Sequence, residues 1–293
     1  KKKKSRLMSD VLIASDGPRL QPDVPTIFMG TRGAINFDLE VNLREGNHHS
    51  GNWGGVLADP AIILTNALST ICNQQGEIQI PAWKPLSLTK EIKEILNSLP
   101  LEDSGDAKID PNWGEHNLTP LERLYGWNSF SILSLTSGNQ QKAVNAISGK
   151  ARASCQLRFV VGTISKDIIP ALRKHLDNLN FKQVKIILND NQLFEATRLS
   201  VKNPWVDLVS ASIKRTSKKS PHLVPNLGGS LPNDSFTEIL GLPTIWIPHS
   251  YRGCSQHAPN EHVLKYVCLD ALKIMAGLYF DIGEKGREYK KFS

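Results

Sequence analysis

Between Ala34 and Leu43 the chain reads AINFDLEVNL, with Ile35, Phe37, Leu39, Val41 and Leu43 alternating against polar neighbours. A period of two is what a strand with one wet face requires. Two short apolar runs bounded by turn residues, DVLIAS from Asp10 and TIFMG from Thr26, predict buried strands ahead of it. The period changes at Asp59. DPAIILTNALSTI opens on an acidic cap with Pro at the first helical position, and its apolar residues fall at helical spacing, so a helix is predicted over 59–71. Residues 81–126 are irregular and rich in Pro, Trp and acids, with one helix predicted in LTKEIKEILNSL, and read as a surface insertion. Beyond them, strands are predicted in SFSILSLTSG and ARASCQLRFVV, a helix in SKDIIPALRKHLDNL and a strand in VKIILN.

From Ala34 the predicted order is strand, helix, strand, strand, helix, strand, the order of a ferredoxin-like domain with an antiparallel sheet and two helices on one face. After Pro204 the texture becomes helix (WVDLVSASIKRTS), a Gly-Gly-Ser turn, helix (NDSFTEILG), an apolar strand (PTIWIP), a polar turn and a final helix (VLKYVCLDALKIMAGLYF). Alternating helix and buried strand predicts a parallel or mixed α/β layer. The fold expected is α/β: an α/β catalytic domain, present in part, interrupted by a ferredoxin-like α+β lid. Residues 1–32 and 200–293 form the outer domain and 33–199 the inserted lid, itself carrying the insertion at 81–126. Three short strands are expected in the outer layer.

Composition changes this picture little. Net charge is +7, but KKKK opens the chain and EKGREYKK lies near its end, so much of the excess is terminal. With no Lys/Arg stripe interleaved with aromatics, nucleic-acid binding is not expected. No apolar run approaches the length of a membrane span, and VLIA after the lysines is too short for a signal-peptide core. Cys72, Cys155, Cys254 and Cys268 show no zinc-finger spacing, which suits reduced, mostly buried thiols and a cytoplasmic location.

Several polar positions can carry chemistry, and each has a plainer alternative. His257, in SQHAPNEH, follows an apolar strand, where α/β sheets place ligand groups; it is a metal ligand or a loop histidine bonded to backbone. Asp16, in IASDGP, is a ligand or the first residue of an Asx turn. The loop REGNHHSGNWGG holds His48 and His49 ahead of paired glycines that permit close backbone approach. Gly228, Gly229 and Ser230 precede a predicted helix, so their N–H groups could hold a carboxylate or oxyanion. Arg158, on a predicted strand, could grip a carboxylate with two parallel hydrogen bonds or face solvent.

Taken in order, SDGPRLQPDVPTIFMGTRGAINFDLEV, HHSGNWGGVLADPAIILTNAL, the N-x12-R of VNAISGKARASCQLRF, GGSLP and QHAPNEH resemble the M20 family of metallopeptidases, from about Asp10 to Tyr279. That group includes carnosinase-like dipeptidases, aminoacylases and carboxypeptidases. The resemblance implies hydrolysis of a dipeptide or an N-acyl or N-carbamoyl amino acid, two divalent metal ions, zinc by expectation, and a homodimer formed through the lid. By position, Asp16 matches the terminal ligand of one metal and His257 that of the other. His49 matches a histidine that crosses the dimer interface to the oxyanion. Asn145 and Arg158 match lid residues that hold the substrate carboxylate, and Gly228, Gly229 and Ser230 match a substrate-binding turn. Asn203 and His222 stand near these segments without an assigned role.

One departure is large. The family's H-x-D segment, bridging Asp and Glu-Glu pair come earlier in the chain, whereas the fifteen residues before Asp16 hold no histidine and one acid, Asp10. The expectation is a chain lacking the N-terminal part of the catalytic domain, inactive and weak in metal binding by itself. The alternative, from another class, is a non-catalytic dimerising or binding protein that retains the lid.

Overall fold

The computed structural model describes residues 4–101 and 108–289. The first segment supplies β1 (Leu12–Ala14), β2 (Pro18–Arg19), β3 (Thr26–Phe28), β4 (Gly30–Thr31) and the long β5 (Gly33–His49). Helices follow: α1 (Ser50–Trp53), α2 (Pro60–Ile71), α3 (Lys90–Asn97) and α4 (Pro120–Tyr125). Then come β6 (Ser129–Ser137), β7 (Ala146–Phe159), α5 (Ser165–Asn178), β8 (Val184–Phe194) and β9 (Thr197–Arg198). The last segment holds α6 (Pro204–Ser217), β10 (His222–Val224), β11 (Thr244–Trp246), β12 (Ser250–Tyr251) and α7 (Lys265–Tyr289).

The lid is an antiparallel sheet in the order β6-β7-β5-β8. β5 and β7 pair from Gly33↔Phe159 to His49↔Ala146, with one break in register between Asn42 and Asn47. The alternation in β5 sends Phe37, Leu39 and Val41 into a core with Leu64, Leu68 and Ile71 of α2 and Leu172 and Leu176 of α5. Asp59 caps α2 by accepting from Ala61 and Ile62, and Pro60 occupies the first turn, where a missing N–H costs nothing. Trp83 is fully buried in the same core, and its Nε1 donates to the Ile168 carbonyl at 2.9 Å.

The outer layer is a mixed sheet in the order β1-β11-β3-β10. β1 runs parallel to β11 and β10 parallel to β3, while β11 meets β3 antiparallel. Alternation again divides the faces. Ile27 and Ile245 pack against Val206, Val209 and Ile213 of α6 and Ile274 and Leu278 of α7. Phe28, Val224 and Trp246 pack against Ile92 and Leu96 of α3 and Leu121 and Tyr125 of α4.

The structure departs from the expected fold at three places. The segment 81–126 is no surface insertion, because α3 and α4 cover the second face of the outer sheet; its described stretches hold the buried Trp83, Ile92, Leu96, Leu121 and Tyr125, and residues 102–107 lie outside the described residues. The outer layer has a fourth strand, β10, in place of three. NDSFTEILG forms a π-helical turn at Ser235–Leu240, not an α-helix, and Gly228–Ser230 stand several residues ahead of it.

The lid joins the outer layer through β4 and β9, an antiparallel pair with Gly30 opposite Arg198 and Thr31 opposite Thr197. A Cβ on Gly30 would lie 2.0 Å from the Thr197 carbonyl oxygen, so only glycine lets these two crossings touch.

Candidate active site

Asp16 ends the run that begins as β1. Its Oδ1 accepts from the adjacent Gly17 N–H at 2.6 Å, one residue short of the Asx-turn contact, and the exposed carboxylate lines a cleft. Gly17 has φ +83° and lies under Leu227, the residue before Gly228. The Asp16 turn and the Gly-Gly-Ser loop are thereby held together.

β2 and β12 pair in parallel, Ser250 opposite Pro18 and Tyr251 opposite Arg19, so the turn after Asp16 and the approach to His257 leave one short ladder. Arg19, fully buried, braces that ladder: it donates to the carbonyls of Pro248 and Pro22 and forms an ion pair with Asp270 of α7 at 3.0 Å. In SQHAPNEH, Ser255, His257 and Asn260 all adopt the left-handed conformation, at φ +57°, +59° and +64°. Such backbone is sparsely populated by non-glycine residues and persists where surrounding structure enforces it. Here the His257 N–H donates to Glu261 Oε2, the His262 N–H to the Cys254 carbonyl, and His262 Nε2 lies 2.8 Å from Tyr251 Oη. Glu261 and His262 thus shape the turn, and His257 is left exposed on the cleft.

The cleft, about 840 Å³, is lined by Asp16, His257, Arg158 and Gly228–Ser230. Leu124, Tyr125 and Arg252, which carried no sequence signal, line it too. Arg158 Nη1 donates to Ser230 Oγ at 3.1 Å, joining lid to outer layer across the cleft. Behind it Arg32, almost wholly buried, donates to the carbonyls of Leu124 and Arg158 and to Ser129 Oγ. Burial, with Arg158 beside it, lowers the Arg32 pKa to about 10. Tyr125 Oη accepts from Arg252 Nη2 at 2.6 Å, and burial pushes the phenol's pKa up. Neither Arg158 nor Arg252 pairs with a carboxylate among the described residues.

His49 and Asn145 are placed elsewhere. They flank the far end of the β5–β7 ladder, where the Ser50 N–H donates to the Asn145 carbonyl and His49 Nδ1 accepts from Gly51. Both side chains are exposed. Arg158 sits near the opposite end of β7, which at about 3.3 Å per residue puts it roughly 40 Å away. Within one chain Asn145 and Arg158 do not share a ligand. Asn203 caps α6 by accepting from the Trp205 N–H, and His222 contacts Gln21.

Asp16 and His257 are few donors for a metal centre. Among the described residues no group of three or more His, Cys, Asp or Glu side chains comes together, whereas a catalytic ion takes about three protein ligands. Asp16 and His257 therefore do not fit a complete ion shell by themselves. All four cysteines are free, and burial raises the Cys72 and Cys155 thiols to about 12, which leaves them poor thiolate ligands at neutral pH.

Residues 29–184, more than half of the chain, match the model of the M20 peptidase dimerisation domain. The chain belongs to the M20 peptidase family. Human Beta-Ala-His dipeptidase is 22% identical over 97% of this M20 chain, and the Cys-Gly metallodipeptidase of Candida albicans is 23% identical over 92% of it. The chain spans 58% and 57% of those relatives' lengths. The fold is shared with an M20 family metallo-carboxypeptidase from Sulfolobus solfataricus, at a TM-score of 0.79 and 20% identity over 94% of this chain and 64% of that one. Human carnosine dipeptidase 1 aligns with a TM-score of 0.77 and 21% identity over 97% of this chain and 62% of that one. Among the described residues no helix is long and apolar enough to cross a membrane.

Proposed function

We propose that this chain works in a dinuclear metallohydrolase that cleaves the amide bond of a dipeptide or of an N-acyl or N-carbamoyl amino acid with a free carboxylate. The observation that supports this best is the convergence of Asp16, His257, Arg158 and Gly228–Ser230, from separate parts of the sequence, on one cleft. Arg158 presents a planar fork suited to a carboxylate, and Ser230 Oγ fixes one of its nitrogens. With the carboxylate held there, the scissile carbonyl lies over the Gly228–Ser230 backbone, toward Asp16 and His257. These two would each hold one of the two ions, zinc by family resemblance, and the remaining ligands would come from outside this donor set. Bound metal would lower the pKa of water and polarise the carbonyl.

His49 and Asn145 act on a neighbouring copy. The matched dimerisation domain, the roughly 40 Å from Arg158 and the exposed Gly54–Gly55 backbone beside His49 support a homodimer in which each cleft is completed by the partner's lid. His49 then donates to the developing oxyanion. A cytoplasmic setting suits the free thiols.

The test uses the full polypeptide that carries this sequence. Elemental analysis is expected to give about two divalent ions per subunit, with hydrolysis of a dipeptide that disappears on chelation. Metal-free, inactive protein would refute the proposal. It would favour a non-catalytic binding dimer, which the lack of a three-donor group among the described residues supports.

A further inference from the structure

Arg252 has no counterpart among the positions carried over from the family resemblance, yet it lies in the same cleft as Arg158. It opens the 3-10 turn Arg252–Cys254 that follows β12, half-buried, and its Nη2 donates to Tyr125 Oη. A guanidinium carries five N–H donors, and a neutral phenol satisfies one of them without neutralising the charge. Keeping an uncompensated cation partly out of water is costly, and the ion pairs of the described residues leave it without a carboxylate.

The two guanidiniums bracket the Gly-Gly-Ser loop. Ser230 Oγ bonds Arg158, while the Tyr125 ring that holds Arg252 comes within 3.7 Å of where a Cβ on Gly228 would lie. Gly228 and Ser230 are two residues apart, so their Cα atoms are at most about 7 Å from one another. Both guanidiniums line the one cleft, each tied to this short loop or to a ring beside it, so a ligand that carries two carboxylates, as a dicarboxylic amino acid does, can engage both. Asp16 is the acid lining this cleft, against Arg158, Arg252 and the buried Arg32 behind them.

We propose that Arg252, together with the Tyr125 hydroxyl, forms a second anion anchor, and that the preferred substrate carries aspartate or glutamate at its carboxyl end. This deepens the hydrolase proposal and rests on it for the chemistry, though not for the binding. The α-carboxylate sits on Arg158 and the side-chain carboxylate on Arg252 and Tyr125 Oη.

Binding and turnover test it separately, on the full polypeptide. Calorimetry compares N-acetylglutamate with N-acetylglutamine, which differ in charge but hardly in shape, and kinetics compare Ala-Glu with Ala-Gln. The acid is expected to bind, and its dipeptide to be cleaved, about tenfold or more better, as a charge-assisted hydrogen bond implies. Arg252→Gln brings that ratio close to one, and Tyr125→Phe lowers it in part. Arg252→Lys retains most of it and carries the test should Arg252→Gln not fold. A wild-type ratio near one, or a ratio that Arg252→Gln leaves intact, overturns the proposal. If neither the dipeptides nor the N-acetyl and N-carbamoyl amino acids are cleaved but N-acetylglutamate binds with an Arg252-dependent preference, the hydrolase proposal falls and the anchor stands. If both dipeptides are cleaved equally, the anchor falls and the hydrolase stands.

Discussion

A single methyl group at position 17 has no space to occupy. A Cβ there would sit 2.6 Å from Leu227 Cδ1 on a backbone with φ +83°, and the left-handed conformation costs a non-glycine residue about 1–2 kcal/mol before any clash. Gly17→Ala is expected to lower stability by roughly 1–3 kcal/mol in urea titration. Gly229→Ala, whose Cβ would meet only Leu227 side-chain atoms at 3.7 Å and beyond, is expected to be near neutral. Arg158→Ala should reduce kcat/KM on a dipeptide roughly 100-fold, mainly through KM. The same change should matter little on a dipeptide amide, which has no carboxylate to lose, and equal losses on both would remove Arg158 from that role. That Asp16, Arg158 and His257 meet at one cleft was legible, because each stands in a motif whose order in the chain is distinctive. Arg252 and Tyr125 were not, since the contact between them joins residues 127 positions apart.

Periodicity served well wherever an element had one wet face. β5 alternates and α2 is capped as its first residues predict, whereas β10 is three residues between loops with no alternation long enough to detect. The role of α3 and α4 was hidden for another reason: an amphipathic helix declares that it will be covered, not which sheet covers it. α4 carries a capping box between Thr119 and Glu122, and Thr119→Ala is expected to cost about 1 kcal/mol. Because α4 presents Tyr125 to the cleft, that change should also weaken binding of N-acetylglutamate. The α6–α7 contact offers a pH test. Burial pushes the Asp281 carboxyl up, but the Ser212 hydroxyl and the Arg215 guanidinium outweigh it and hold its pKa below the usual value; Arg215 Nη2 lies 2.8 Å away. A depressed folded-state pKa stabilises the fold above the unfolded value, near 3.9, and the gain is lost as pH falls through the folded value. The stability gap between wild type and Asp281→Asn should therefore be widest at neutral pH and narrow below about pH 4.

At the scale of the molecule, β6, one edge strand of the lid sheet, leaves apolar side chains in the open: Ile132, Leu133 and Leu135 are 47%, 57% and 47% exposed. An apolar edge of this kind is a template for pairing, and the double change Leu133→Lys, Leu135→Lys should yield monomers by sedimentation. Mixing His49→Ala with Arg158→Ala provides a sharper check on a shared site. Each variant alone should be nearly inactive, while subunit exchange restores one intact cleft per mixed dimer, about a quarter of wild-type activity; no recovery would place His49 outside the reaction. Neither the edge nor the distance between the ends of β7 was legible from spacing, because both depend on strand neighbours. The β4–β9 pair bears on something else, the portability of the lid. The inserted domain enters and leaves through neighbouring strands about 5 Å apart, so removing it leaves a backbone gap no wider than a hairpin, but α3 and α4 go with it and uncover Phe28, Val224 and Trp246 on the outer sheet. Such a stem makes the insert a cassette in its connections, transferable only to a sheet whose second face suits α3 and α4.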